Sequence, residues 1–185
     1  MSINVDTEGN RAAQKWTRAE QFGRILWALV LPLFKMSPRV LWFWRNWLLR
    51  CFGARIGREV QIYPSVRVTI PWNISIADFS AVGDGVILYA LGEISIGNRT
   101  TISQGVHLCA GTHDWRDPAM PLQKLPLSIG DRVWVCADAF VGPGVVVGND
   151  SIVGARAVVM RDLPENVIAV GHPARIVSSR YGGNE

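Results

Sequence analysis

A chain of 185 residues, 49% of them hydrophobic, is about the length of one ordinary domain and can bury one sizeable core. Its net charge of +4 is unevenly spread, because residues 1–58 hold ten Lys/Arg against three Asp/Glu while residues 59–185 hold nine against twelve. Cys51, Cys109 and Cys136 are too few and too unevenly spaced for a disulfide framework or a CxxC metal site, and residues 1–15 lack the pattern of a secretion signal, which points to reduced thiols and the cytoplasm.

Residues 1–54 read as a basic, Trp-rich helical extension, with Trp16, Trp27, Trp42, Trp44 and Trp47 interleaved among its cations. Charge alone would attract nucleic acid, whereas charge and interfacial aromatics together favour peripheral contact with an anionic membrane, so no nucleic-acid partner is expected. The apolar run Ile25 to Phe34 contains Pro32 and is about half the ~20 residues needed to cross a bilayer. From Arg39 to Phe52, the polar residues Arg39, Asn46 and Arg50 fall on one helical stripe opposite Leu41, Trp44 and Leu48. The simplest use of that apolar face is packing on the protein itself.

Residues 55–177 carry a repeat. Aliphatic anchors recur every six residues at Ile129, Val135, Val141, Val147, Val153 and Val159. Six is no helical period, but it suits a chain in which each short strand and its corner take six residues and three sides close an 18-residue coil. Upstream the pattern runs Ile56, Ile62, Val68, Ile74, restarts at Ile76, Val82, Leu88, Ile94, and restarts again at Ile96, Ile102, Leu108. Those coils repeat every 20 residues, and the excess of two is expected at a bulged corner. Gly130, Gly142, Gly148 and Gly154 follow their anchors and read as architectural. The expected fold is an all-β parallel β-helix with three sheets around a dry aliphatic interior. Residues 178–185 are left as a short tail.

Leu108 and Ile129 are 21 residues apart and break the register, so a loop leaves the coil at about 111–126. It carries His113, the best of three histidines (107, 113 and 172) for a general base. An imidazole is mostly neutral at cytoplasmic pH, which suits taking a proton from an attacking hydroxyl. Asp114 or a backbone carbonyl could orient the ring.

The hexads, the motif Cys109-Ala-Gly-Thr-His113-Asp114, the segment Ile129-Gly-Asp-Arg-Val-Trp134 and the ending Gly171-His-Pro-Ala-Arg175 together resemble the left-handed β-helix acyltransferases. The chain is most similar to their colanic acid biosynthesis acetyltransferase branch, over roughly residues 20–178. The resemblance implies a left-handed coil, a homotrimer with active sites between subunits, and O-acetyl transfer from acetyl-CoA to a sugar or lipid-linked sugar hydroxyl, without a metal. It further implies His113 as the base, an oxyanion donor near the backbone of Ala137, and Trp134 as a wall of the thioester site. Coenzyme A would lie beside Ala137 and Ala155, with its nucleotide end near Met160, Arg161 and Arg175. His172 would shape the terminal loop.

Two departures stand out. Related sugar acetyltransferases place an asparagine on the coil before the catalytic histidine, and Val86 to Ala90 offers none; Ser178 stands where some relatives have a second arginine. A zinc hydrase on this fold would need three convergent histidines, which the spacing does not supply. The competing expectations are acetylation of a small diffusible acceptor, or a non-catalytic scaffold in polysaccharide assembly.

Overall fold

The computed structural model describes residues 5–182, so the first four residues of the extension and the last three of the tail lie outside the described residues. From Arg55 onward the chain winds as a parallel β-helix. The first side stacks Arg55–Ile56, Ile74–Ile76, Ile94–Ile96, Leu127–Ile129 and Val146–Val147. The second stacks Gln61–Ile62, Ala81–Val82, Thr101–Ile102, Trp134–Val135, Ile152–Val153 and Val167–Gly171, and the third stacks Arg67–Val68, Ile87–Tyr89, His107–Cys109, Phe140–Val141 and Val158–Val159. The anchors named above are all buried, and they stack in register, Ile56 on Ile76 on Ile96 on Ile129 on Val147.

The two-residue excess of the early coils falls at the third corner, but not as a bulge. Strand Ile74–Ile76 pairs with Ile94–Ile96 in unbroken register. The extra length is absorbed by a third strand residue and, in the first coil, by a corner that turns through Pro71–Asn73. The glycines are architectural for a different reason than corner flexibility. A Cβ on Gly97 would lie 2.4 Å from Asp131 Oδ1 and 2.6 Å from its backbone nitrogen, so glycine permits the close approach of the next coil. The left-handed backbone at that corner is instead taken by Arg99 (φ 52°) and, one coil on, by Arg132 (φ 55°).

A second inward column, two residues before each anchor, escaped the six-residue reading. It is mostly Val and Ala, but Ser80, Thr100 and Ser151 occupy it on one corner. Thr100 Oγ1 donates to Gly130 O (2.7 Å) and accepts the Val133 N–H (3.1 Å), tying neighbouring coils where no strand pairs. A buried hydroxyl so placed leaves no polar group unsatisfied.

At many positions a coil donates an N–H to a carbonyl of the following coil, as from Gly57 to Ile76 (2.8 Å), and the equivalent carbonyls of the first coil, those of Ile56, Val60, Ile62 and Val68, have no earlier coil to donate to them. The extension closes them. After α1 (Thr7–Ala12), helix α2 (Arg18–Lys35) starts on a capping box of Thr17 and Glu20 and continues through Pro32, followed by α3 (Trp42–Cys51). Trp27 Nε1 donates to Val68 O (2.9 Å), Arg45 Nε to Ile62 O (2.6 Å), Asn46 Nδ2 to Val60 O (2.7 Å) and Arg50 to Ile56 O (2.8 Å). Arg45 is wholly buried, and its other nitrogens reach Ser37 Oγ and the carbonyls of Pro38 and Arg39. Burial without a carboxylate draws its guanidinium below the ordinary arginine value. The polar stripe thus turns inward in part, contrary to the expected arrangement, because open carbonyls need donors more than water needs Asn46. No helix among the described residues is long and apolar enough to cross a membrane.

The other end closes by backbone pairing. Val167–Gly171 folds back antiparallel on Ala174–Ser179, so pairing extends through Ser179.

Candidate active site

Between the third and fourth coils the chain leaves the stack as a hairpin, with Thr112–His113 antiparallel to Leu122–Gln123. His113 is exposed on this arm, and its Nδ1 lies 2.6 Å from Met120 O. A carbonyl can only accept, so the neutral ring carries its proton on Nδ1 and leaves the Nε2 lone pair free. Met120 holds a left-handed backbone (φ 42°), and its carbonyl is turned toward the ring. Asp114 does not hold the ring: its Oδ1 accepts the Arg116 N–H at 3.0 Å, leaving Met120 O as the orienting group.

The other histidines are placed for different ends. His107 lies edge-on to Phe140 (5.2 Å) and Tyr89 (6.2 Å), and burial pushes its pKa down, keeping it neutral. His172 sits in the turn between the last two strands. Among the described residues no group of three or more His, Cys, Asp or Glu is placed to hold a metal.

Trp134 projects from the second side, 48% exposed, and its Nε1 donates to Ser103 Oγ on the coil before (2.9 Å). Ser103 was not foreseen; a tryptophan standing on a short strand needs such a tether to keep its plane fixed. Ala137 and Ala155 follow at the next corner on successive coils, linked by Arg156 N–H to Ala137 O (2.9 Å). Among the described residues the Ala137 N–H meets no acceptor, while its neighbours Cys136 and Asp138 donate to Val153 and Gln104. Small side chains and a free donor make this corner open to a ligand.

Met160, Arg161 and Arg175 come together in a cavity of about 460 Å³ between the last coil and the terminal hairpin, with Pro173 and Ile176 on its wall. Among the described residues neither arginine has an ion-pair partner, and Arg175 reaches only its neighbour's carbonyl at 3.1 Å. Two unpaired guanidinium groups beside an apolar wall suit a phosphate-bearing ligand with an organic arm. The residues singled out in the sequence thus fall into three groups within one chain: the hairpin with His113 and Asp114, the second side with Trp134, Ala137 and Ala155, and the terminal cavity. The cavity that contains His113 is walled by Thr7, Asn10, Arg11 and Met120, none of which the sequence marked.

Residues 126–161 match the family model described as bacterial transferase hexapeptide (six repeats). An Escherichia coli protein named as a colanic acid biosynthesis acetyltransferase is 45% identical over 157 residues, which cover 85% of this chain and 86% of that protein. The chain belongs to the hexapeptide-repeat acyltransferases. Within that family it falls in the colanic acid biosynthesis acetyltransferase branch. The galactoside O-acetyltransferase of E. coli is 26% identical over 136 residues, covering 72% of this chain and 67% of that one. Two solved acetyltransferases share the fold. One is an acetyltransferase from Vibrio cholerae complexed with acetyl coenzyme A, at TM-score 0.83 and 23% identity over 98% of this chain and 100% of that one. The other is a galactoside acetyltransferase in complex with coenzyme A, at TM-score 0.82 and 22% identity over 97% and 92%.

Proposed function

We propose that this acyltransferase moves the acetyl group of acetyl-CoA onto a sugar hydroxyl, with His113 as general base. The observation that carries the reading is the bond from His113 Nδ1–H to Met120 O, which leaves Nε2 unprotonated on an exposed arm. The acceptor hydroxyl loses its proton to Nε2 as its oxygen attacks the thioester carbonyl. The Ala137 N–H steadies the oxyanion of the tetrahedral intermediate. Collapse breaks the C–S bond, and the thiolate of coenzyme A takes the proton from the imidazolium. Arg161 and Arg175 hold the coenzyme's phosphates, Trp134 walls the thioester, and Ala137 and Ala155 let the pantetheine arm lie close. The coenzyme bound in the two solved relatives supports the donor.

Within one chain His113 and the second side stand on separate elements; membership of the hexapeptide-repeat acyltransferases supports a complete site formed in a homotrimer, where one subunit's hairpin faces a neighbour's second side. Light scattering should give a particle three times the 20.4 kDa chain. The acceptor is a sugar carried on a lipid at the inner face of the membrane. Support comes from the outer face of α2, where Phe22, Ile25, Leu29 and Leu33 are exposed in one stripe that Met36 extends just past the helix, and from residues 21–58, which contain no Asp or Glu. Vesicles containing phosphatidylglycerol should sediment the protein and pure phosphatidylcholine vesicles should not.

The test of the reaction is to incubate the purified protein with acetyl-CoA and either lipid-linked or free sugars, following thiol release and acetylated product by mass spectrometry. Transfer to a lipid-linked sugar is expected. Transfer only to small free acceptors would move the reading to a diffusible substrate, and no transfer to any hydroxyl would overturn it.

A further inference from the structure

We propose that Asn10 is a positioning residue for His113, acting through the Met120 carbonyl; the proposal rests on the reading of His113 as the base. Met120 O accepts two hydrogen bonds, from His113 Nδ1–H at 2.6 Å and from Asn10 Nδ2–H at 2.5 Å, one for each of its lone pairs. The second hydrogen of the same amide goes to Ala119 O (2.6 Å). Lys15 Nζ, which can only donate, lies 2.6 Å from Asn10 Oδ1, so the amide has a single orientation consistent with all of its neighbours. The side chain therefore grips two consecutive carbonyls at the tip of the hairpin, 109 and 110 residues away in sequence.

That grip answers a local need. Met120 sits at φ 42°, a conformation that a side chain bearing a Cβ adopts only when its surroundings hold it. The peptide plane that presents its carbonyl to His113 would relax if nothing fixed it, and the ring would lose the acceptor that selects its tautomer. Helix α1 is joined to the hairpin at one further point, from the Asp6 N–H to Pro118 O (2.8 Å). It buries no residue of its own. Its bonds run to the tip that carries the orienting carbonyl, which is where an element serving the imidazole, and not the core, would be attached.

The experiment compares Asn10→Ala, Asn10→Asp and Asn10→Gln with His113→Ala and the unmodified trimer. It reads kcat, the KM for acetyl-CoA, the thermal midpoint and the side-chain ¹⁵N shifts of His113. Asn10→Ala and Asn10→Asp are expected to lower kcat on the order of tenfold, since a small misplacement of a reacting group has effects of at least that size. KM and midpoint should stay as they were, and the His113 nitrogens should move from the Nδ1–H pattern toward a mixture. Asn10→Gln, which keeps the amide donors, should recover part of the rate. An unchanged kcat in Asn10→Ala beside an inactive His113→Ala would overturn the positioning role and leave the base intact. Full activity in His113→Ala would remove the base itself. A fall in midpoint that accounts for the lost rate, with the ¹⁵N pattern unmoved, would reduce Asn10 to a structural residue.

Discussion

Helices α3 and α1 belong to the same basic segment, yet α3 turns Arg45 and Asn46 into the interior while α1 has no buried residue. The difference follows from what each one meets. A stacked coil always ends on unpaired backbone groups, and α3 with Trp27 of α2 supplies donors to the carbonyls of Ile56, Val60, Ile62 and Val68. Helix α1 meets only the hairpin that carries His113, through Asp6 and Asn10. A segment that closes the repeat is part of the fold, and a segment that touches only the inserted hairpin can change the chemistry without changing the fold.

The contrast can be broken at three places, ranked by their expected cost in stability. Arg45→Ala removes donors from three carbonyls and a hydroxyl inside the protein, and should cost roughly 3 kcal/mol or more in chemical denaturation. Arg45→Lys should restore little, because one ammonium cannot span the four acceptors. Trp27→Phe keeps the edge-on packing against Phe34 and Phe52 but leaves Val68 O without its donor, at about 1 kcal/mol in the same assay. Deletion of residues 1–15 should change stability least, by less than about 0.5 kcal/mol, since α1 has no fully buried residue. If His113 is the base, the deletion should nevertheless slow turnover on the order of tenfold, the effect of displacing a reacting group. If that deletion unfolded the protein, or if Arg45→Ala were harmless, the division between the two helices would be wrong.

The anchors Ile129 to Val159 were legible because every sixth position has to fill the same narrow interior, and a single residue type satisfies it. The hairpin was legible only as a break in that count. Its strand pairing was hidden by Pro118 and Pro121, and its attachment to Asn10 by more than a hundred intervening residues. The hydroxyl column of Ser80, Thr100 and Ser151 left no signal, because serine and threonine in a corner look like ordinary turn residues. The tryptophans and arginines of the extension suggested an external surface, yet Trp27 and Arg45 are used up internally, while Trp47 joins Phe22, Leu29 and Leu33 among the exposed residues. Composition reports that such residues are present and not which way they point. For the same reason Asp114, adjacent in sequence, looked as able to orient His113 as the carbonyl of Met120, and only the turn of the hairpin tip decides between them.

The central claim is that the Nε2 of His113 takes the proton from the acceptor hydroxyl. Its most direct test is single-turnover acetyl transfer by His113→Ala, with coenzyme A affinity and thermal midpoint measured on the same preparation. The rate should fall by ~10² to 10⁴-fold, the usual share of a general base, while the fold and the coenzyme affinity persist. A variant that transfers acetyl at the original rate would contradict the account.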